Sequence, residues 1–122
     1  MTDQPVHEVM DRLSPSIFAG LLTVNGVLTY ANKAALDAIG ARAEDVLGRP
    51  FDATPWWGFS DQSRQRLRDA ILAAGQGHTS RFDVLILDRN GRVRTMDFSL
   101  HPVYDDKGNV TYMVPSARDI TE

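Results

Sequence analysis

Residues 81–122 carry the densest structural signal in this 122-residue chain. Residues 81–88 read as a strand and Asp88-Arg89-Asn90-Gly91 as a tight turn. Residues 92–104 form a longer strand, Asp105-Asp106-Lys107-Gly108-Asn109 a second turn, and residues 110–118 a third strand running into Asp119-Ile120-Thr121. Asn-Gly and Lys-Gly-Asn supply the positive-φ positions that hairpin turns need, and Val, Ile, Phe, Tyr and Thr populate the segments between them. Three strands joined by two short turns make an antiparallel meander, which is a scaffold or a receptor surface and carries nothing visibly catalytic.

The first half supplies the partner of that meander. Residues 17–24 are apolar and strand-like, Asn25-Gly26 is a strong two-residue hairpin signal, and residues 27–31 form the return strand. Asn32 is placed to cap a short helix over 33–39 that stops at Gly40, and residues 43–47 form another helical turn closed by Gly48. The longest helix is expected over 60–74, capped by Ser60 or Asp61, with Leu67, Ile71 and Leu72 on its inner face and Gly75-Gln76-Gly77 ending it. Between them lies the irregular stretch 48–59, where Pro50 and Pro55 argue against a continuous helix and where both tryptophans sit.

On these residues the chain resembles the PAS domain family. The resemblance is carried by Tyr30-Ala31-Asn32-Lys33-Ala34-Ala35, Glu44-Asp45-Val46-Leu47-Gly48-Arg49-Pro50-Phe51, Asp88-Arg89-Asn90-Gly91 and Arg118-Asp119-Ile120-Thr121, in the family's order and at its spacings over roughly residues 15–121. It implies an α+β fold: a five-stranded antiparallel sheet with short helices and one longer helix on one face, preceded by an N-terminal amphipathic helix. The expected division is an N-terminal helix over 1–14 and a PAS domain over 15–121. A small hotdog or lipocalin-like domain also combines sheet and pocket, but predicts neither the short-helix series nor the Asp-Ile-Thr exit.

Composition excludes several functions. With 43% hydrophobic and 24% charged residues, the chain is ordinary for a globular domain. It has no apolar run of membrane-spanning length and no signal-peptide layout, which points to a cytoplasmic domain without membrane contact. A formal charge of −3 with no basic run gives nucleic-acid binding little support. Arg64, Arg66 and Arg68 are spread round the long helix as a solvated face. The chain has no cysteine, which removes disulfides, thiolate metal sites and cysteine nucleophiles. Within the resemblance it also removes the flavin–thiol adduct of light-oxygen-voltage domains, at whose cysteine position Phe51 falls, and the thioester chromophore of photoactive yellow protein. No Ser/His/Asp arrangement, metal-ligand spacing or phosphate-cradling glycine loop is present, so the module is read as non-catalytic.

Strand alternation divides the sheet. Met96, Phe98 and Leu100 point one way on the long strand; Thr95, Asp97, Ser99 and His101 point the other. The resemblance places the first set against the helices, where the family forms its cavity. Phe82, Val84 and Ile86 join it from the preceding strand, Met113, Pro115 and Ala117 from the last, and Leu22 and Val24 from the first, with Phe51, Trp56 and Trp57 closing the opposite side. Such a wall fits a packed core as well as a pocket. In an extended loop the adjacent tryptophans cannot both point inward, so one plugs the gap between helix and sheet while the other lies half-exposed, or serves as a lid or stacking surface for an aromatic or amphipathic small molecule.

The cofactor, if any, is unknown. Haem is disfavoured because the long helix holds no axial histidine: His7 lies in the N-terminal helix, His78 at a strand edge, and His101 on the face away from the pocket. Non-covalent flavin is disfavoured because the wall lacks Asn and Gln to read the ring edge.

Val6, Val9, Met10 and Leu13 form one stripe of the N-terminal helix, which covers the domain's own sheet or forms a homodimer seam, as the resemblance implies. Leu85, Leu87, Tyr112 and Val114 on the outward sheet face also need cover. The resemblance implies that Asp119, Ile120 and Thr121 mark the exit toward an output domain, and on it the sequence is expected to be an excised sensory module of a bacterial signalling protein such as a sensor histidine kinase, or a related cyclase. The alternative is a filled-core domain that only dimerises.

Overall fold

The structure, a computed structural model, describes residues 17–121; the N-terminal helix proposed over 1–14, with Val6, His7, Val9, Met10 and Leu13, lies outside the described residues. A single five-stranded antiparallel sheet is formed by β1 (Ile17–Thr23), β2 (Leu28–Ala31), β3 (Ser80–Leu87), β4 (Val93–Tyr104) and β5 (Val110–Asp119) in the order β2-β1-β5-β4-β3. Between β2 and β3 run α1 (Lys33–Ile39), α2 (Ala43–Val46), two 3₁₀ turns (Phe51–Ala53 and Pro55–Trp57) and α3 (Asp61–Gly75). This is the expected architecture, with the meander β3-β4-β5 as read and β1 closing against β5 at its free side.

Three hairpins share one turn design. In each, the residue before the loop exchanges backbone bonds across it: Gly26 N donates to Thr23 O and Thr23 N to Val27 O, Gly91 N to Asp88 O and Asp88 N to Arg92 O, Gly108 N to Asp105 O and Asp105 N to Asn109 O. The glycine holds φ near +80° in all three. Such a loop has three residues, with a left-handed glycine last. The two-residue turn expected at Asn25-Gly26 is therefore corrected: it would need positive φ at Asn25, and among the described residues no non-glycine has one. The longer loop takes Val24 out of β1 and leaves it 41% exposed.

In each turn the leading side chain fastens the loop. Thr23 Oγ1 accepts from the N–H of Asn25 and Val27 at 3.3 and 3.1 Å. Asp88 Oδ1 accepts from Asn90 and Arg92, both at 2.9 Å, and Asp105 Oδ1 from Lys107 and Asn109 at 2.8 and 2.9 Å. The two carboxyls are held below the usual carboxylate range, chiefly by the backbone N–H of Arg92 for Asp88 and of Asn109 for Asp105. Asp97 is lowered too, first by its hydrogen bond from Arg81, whose guanidinium grips both carboxylate oxygens at 2.9 and 2.6 Å. A carboxyl with a depressed folded pKa contributes stability that is present above its unfolded value and lost as pH falls through the folded one. The melting temperature should therefore hold from neutrality to about pH 5 and drop below about pH 4. Asp105→Asn, which keeps an acceptor without the charge, should flatten part of that acid limb; an unchanged pH profile in thermal melts would refute the turn's contribution.

The sheet's inner face is organised in rows. Across β1, β5, β4 and β3, Phe18 stands beside Ala117, Ala117 beside Phe98, and Phe98 beside Phe82. Leu22 pairs with Met113, Leu100 with Pro115 and Val84 with Met96. Against this face α3 presents Leu67, Ala70 and Ala74, all buried. Leu72, expected on that face, is 70% exposed, because it lies five residues from Leu67 and so well round the helix. Ile71 packs on the core's edge and against Gly26. The arginines of α3 are more engaged than a solvated face implies. Arg68 Nε donates to Asp52 at 2.7 Å, Arg66 lies 4.4 Å over the Phe82 ring, and Arg64 pairs with Asp61.

Candidate ligand cavity and strand exit

The 3₁₀ turn Pro55–Trp57 is what shapes the site. Pro55 starts it, where a missing N–H costs nothing. Thr54 ends the preceding turn with its hydroxyl donating to Phe51 O at 2.5 Å. A 3₁₀ turn rotates successive side chains by about 120° rather than 180°. Both indoles therefore reach inward, and Trp56 and Trp57 are only 6% and 3% exposed. The expectation that one of them lies half-exposed fails, since it assumes an extended segment.

The two indoles are not equivalent. Trp56 Nε1 donates to Ala35 O of α1 at 2.8 Å. Trp57 Nε1 is buried and meets no acceptor among the described residues. Trp57 packs edge-on between Phe51, 5.5 Å away, and Phe98, 5.0 Å away, and Phe98 in turn touches Phe82. Replacing Trp56 with Phe should therefore cost about 1 kcal/mol more than replacing Trp57 with Phe, because it also removes the buried hydrogen bond to Ala35 O. Urea unfolding of the two variants measures the difference, and equal losses would refute it.

Beside Trp57 lies a cavity of about 50 Å³. Nine residues expected in a pocket line it: Phe51, Trp56, Trp57, Val84, Ile86, Met96, Phe98, Pro115 and Ala117. Leu22, Leu100 and Met113 are fully buried but stand in the solid core further along the strands, outside the cavity wall. Phe82 is half-buried and covers the core's edge, under Arg66. Val24 is in the turn and belongs to neither.

Phe18, Ala19, Gly20, Leu28, Ala31, Ala35 and Ser116 complete the wall, beyond the residues that alternation in the sequence singles out. Carrying the alternation of Leu22 backward along β1 selects Gly20 and Phe18; carrying it forward to Val24 does not hold through the turn. No histidine lines the cavity, and His78 and His101 are exposed. Among the described residues, no group of three His, Asp or Glu is placed to hold a metal.

Next to the cavity, at the C-terminal end of β5, sits the exit. Ile120 N donates to Thr95 O at 2.9 Å, and Thr95 N donates to Thr121 Oγ1 at 2.9 Å. Asp119 accepts from Thr121 N at 2.9 Å and lies 3.6 Å from Arg94, whose Nε bonds Asp88 at 3.1 Å. The exit residues are thus clasped to β4 and, through Arg94, to the β3–β4 turn. That turn is also held by Arg89 N donating to Ala38 O of α1 at 2.7 Å.

On the outward face Leu85, Leu87 and Tyr112 are 44%, 45% and 38% exposed, and Val114 is half-buried. Among the described residues no helix is long and apolar enough to cross a membrane.

Comparison with known proteins agrees with this architecture. The sensor histidine kinase TmoS of Ectopseudomonas mendocina is 35% identical over 107 residues, covering 86% of this chain and 11% of that protein. The hybrid signal transduction histidine kinase D of Dictyostelium discoideum is 36% identical over 107 residues, covering 86% of this chain and 7% of that protein. The chain thus spans about a tenth or less of the curated relatives it matches. The PAS domain of the fruit-fly ELK potassium channel superposes over the whole of both chains with a TM-score of 0.77 at 16% identity, a likeness of fold. The sequence model that describes the PAS fold matches residues 13–122, and the chain belongs to that family.

Proposed function

We propose that this chain is the cytoplasmic sensory module of a larger bacterial signalling protein of the sensor histidine kinase kind, coupling occupancy of the cavity beside Trp57 to an output domain beyond Asp119-Ile120-Thr121. The module itself is non-catalytic, and kinase or cyclase activity belongs to the parent protein. The observation that carries this reading is that one strand serves both ends: Pro115 and Ala117 of β5 line the cavity, and Asp119 ends the same strand at the exit. A shift of β5 by an occupant reaches Asp119 within two residues and is transmitted to Thr95 and Arg94. To move an output from mostly off to mostly on, the occupant must favour one arrangement by a few kcal/mol.

Known small-molecule pockets are commonly several times larger than 50 Å³. Porphyrin and isoalloxazine are therefore disfavoured, and an occupant beyond a few atoms enters by displacing Trp57. Native mass spectrometry with an absorbance spectrum, on protein purified gently from its own host, tests the reading. A bound mass in defined stoichiometry supports it. A clean, colourless apo dimer supports the second reading.

That second reading, a filled-core module that acts by homodimerisation, is favoured by the exposed Leu85, Leu87 and Tyr112 and by Trp57 packing within the core. Under it, Leu85→Asp with Leu87→Asp should give monomers of unchanged melting temperature by light scattering. Val9→Asp with Met10→Asp asks the same of the N-terminal stripe. A dimer that survives both pairs would remove these surfaces from the interface.

A further inference from the structure

Resting on the homodimer reading, we propose that two copies of this chain join along the free edge of β3, in antiparallel register about Phe82, so that one sheet runs on into the other. The two edges of the sheet differ. At the β2 edge the segment after α2 supplies the missing partner: Gly48 N donates to Leu28 O at 2.8 Å, Leu28 N to Arg49 O at 2.9 Å and Phe51 N to Gly26 O at 2.9 Å. β3, at the opposite edge, has no such cover among the described residues.

The ladder shows which groups are left over. Asp88 N donates to Arg92 O, and bonded pairs recur at every second residue from there, through Ile86, Val84, Phe82 and Ser80. The N–H and C=O of Arg81, Asp83, Leu85 and Leu87 therefore point away from β4, and these residues are exposed. β3 is 8 residues long, with no proline and no register shift. A long regular edge of this kind pairs with another strand unless something repels it.

The charges here do not repel a second copy. An edge guarded by charges of one sign repels its own kind, whereas Arg81 and Asp83 have opposite signs and stand two residues apart on one face. In an antiparallel pair centred on Phe82, Arg81 of each copy lies opposite the partner's Asp83, and the backbone groups of these residues bond across the seam. Phe82, half-buried at the rim of the core, meets the partner's Phe82 at the non-bonded position between them, where side chains come closest. Sliding one strand by two residues either way sets Arg81 against Arg81 or Asp83 against Asp83, which disfavours both neighbouring registers. Arg81 is already held in place by Asp97, while Asp83 has no ion pair among the described residues.

Sedimentation of the whole chain at rising concentration tests this with two single variants. Asp83→Arg makes both positions cationic, and Arg81→Glu makes both anionic. Each alone should weaken dimerisation at least roughly tenfold. An equimolar mixture should recover it as a heterodimer, since each variant supplies the sign the other lacks. Arg81→Glu also gives up the pair with Asp97; should it fail to fold, amide exchange of the wild type needs no variant. The Arg81 and Asp83 amides should slow as concentration rises, and the Leu87 amide, beyond the seam, should not. Loss in both variants without recovery in the mixture would overturn the register. A dimer that both variants leave intact, with those two amides still fast, would overturn the edge pairing while homodimerisation stands through another surface. If the wild type stays monomeric at every concentration, the homodimer reading falls and this proposal with it, and the edge is left for a strand of another protein.

Discussion

Leu100→Asp should unfold this domain or nearly so. Leu100 is fully buried on the inner face of β4, opposite Pro115 on β5 and Ser80 on β3. The substitution removes the transfer energy of a buried leucine, about 2 kcal/mol, and puts an unpaired carboxylate in its place. Together these effects reach about 4 kcal/mol or more, against a total stability of about 5–15 kcal/mol for a domain of this kind. The melting midpoint should fall by roughly 15–30 °C.

A pH series separates the charge from the lost packing. The new carboxyl would have a raised folded pKa, so its charge penalty is full above that folded value, shrinks as pH falls below it, and is gone below the unfolded value near 4. Leu100→Asn carries no such dependence, and the gap between the two variants should close on acidification. Leu100→Met, similar in volume, should cost less than about 1.5 kcal/mol. Near-wild-type melting of Leu100→Asp would mean that this face of β4 is not buried.

That face is legible in the sequence because a strand's period is two and because the residues at alternate positions differ sharply: Met96, Phe98 and Leu100 against Thr95, Asp97, Ser99 and His101. The hairpins are legible too, since each glycine sits where positive φ is required. What local pattern does not carry is anything set by the turn's own geometry. Val24 continues the apolar alternation of β1 as a string of letters, but a three-residue loop claims it. Trp56 and Trp57 both point inward only because Pro55 starts a 3₁₀ turn, and neither composition nor alternation distinguishes that from an extended pair. Leu72 suggests itself by its size, while helical spacing from Leu67 selects Ala70, Ile71 and Ala74. The small residues let α3 lie close to the sheet.

The same limit applies to the cavity. The sequence marks an apolar face, but whether that face is solid or hollow depends on how rows from several strands fill the space. Leu22, Leu100 and Met113 fill theirs completely. The corner bounded by Ala31, Ala35 and Ala117 is floored with small side chains and stays open beside Trp57. Nothing within a single element shows this, because those three alanines come from β2, α1 and β5.

Asn32→Leu should destabilise the domain by roughly 3–5 kcal/mol, through that same corner. The sequence marks Asn32 only as the cap of α1, and it serves as one, accepting from Ala35 N at 3.1 Å. It is also only 1% exposed, and its side chain does two further things. Its Oδ1 accepts from Ala19 N at 3.1 Å, and its Nδ2 donates to Ile17 O at 3.0 Å. One side chain thus ties the start of α1 to β1. An apolar side chain at this position would leave a helix N–H, a strand N–H and a strand carbonyl without these partners. The strand groups weigh most, since Ala19 is itself buried.

Asn32→Asp keeps the acceptor for both N–H groups and loses the bond to Ile17, so it should fall between wild type and Asn32→Leu. Amide exchange gives the local readout: the Ala19 and Ala35 amides should lose protection in Asn32→Leu beyond the global change and keep most of it in Asn32→Asp. Because Ala19, Ala31 and Ala35 all line the cavity, loosening this tie should also change how the cavity is filled. If Asn32→Leu melts like the wild type, the joint between α1 and β1 is held by apolar packing alone, and the cavity corner does not depend on Asn32.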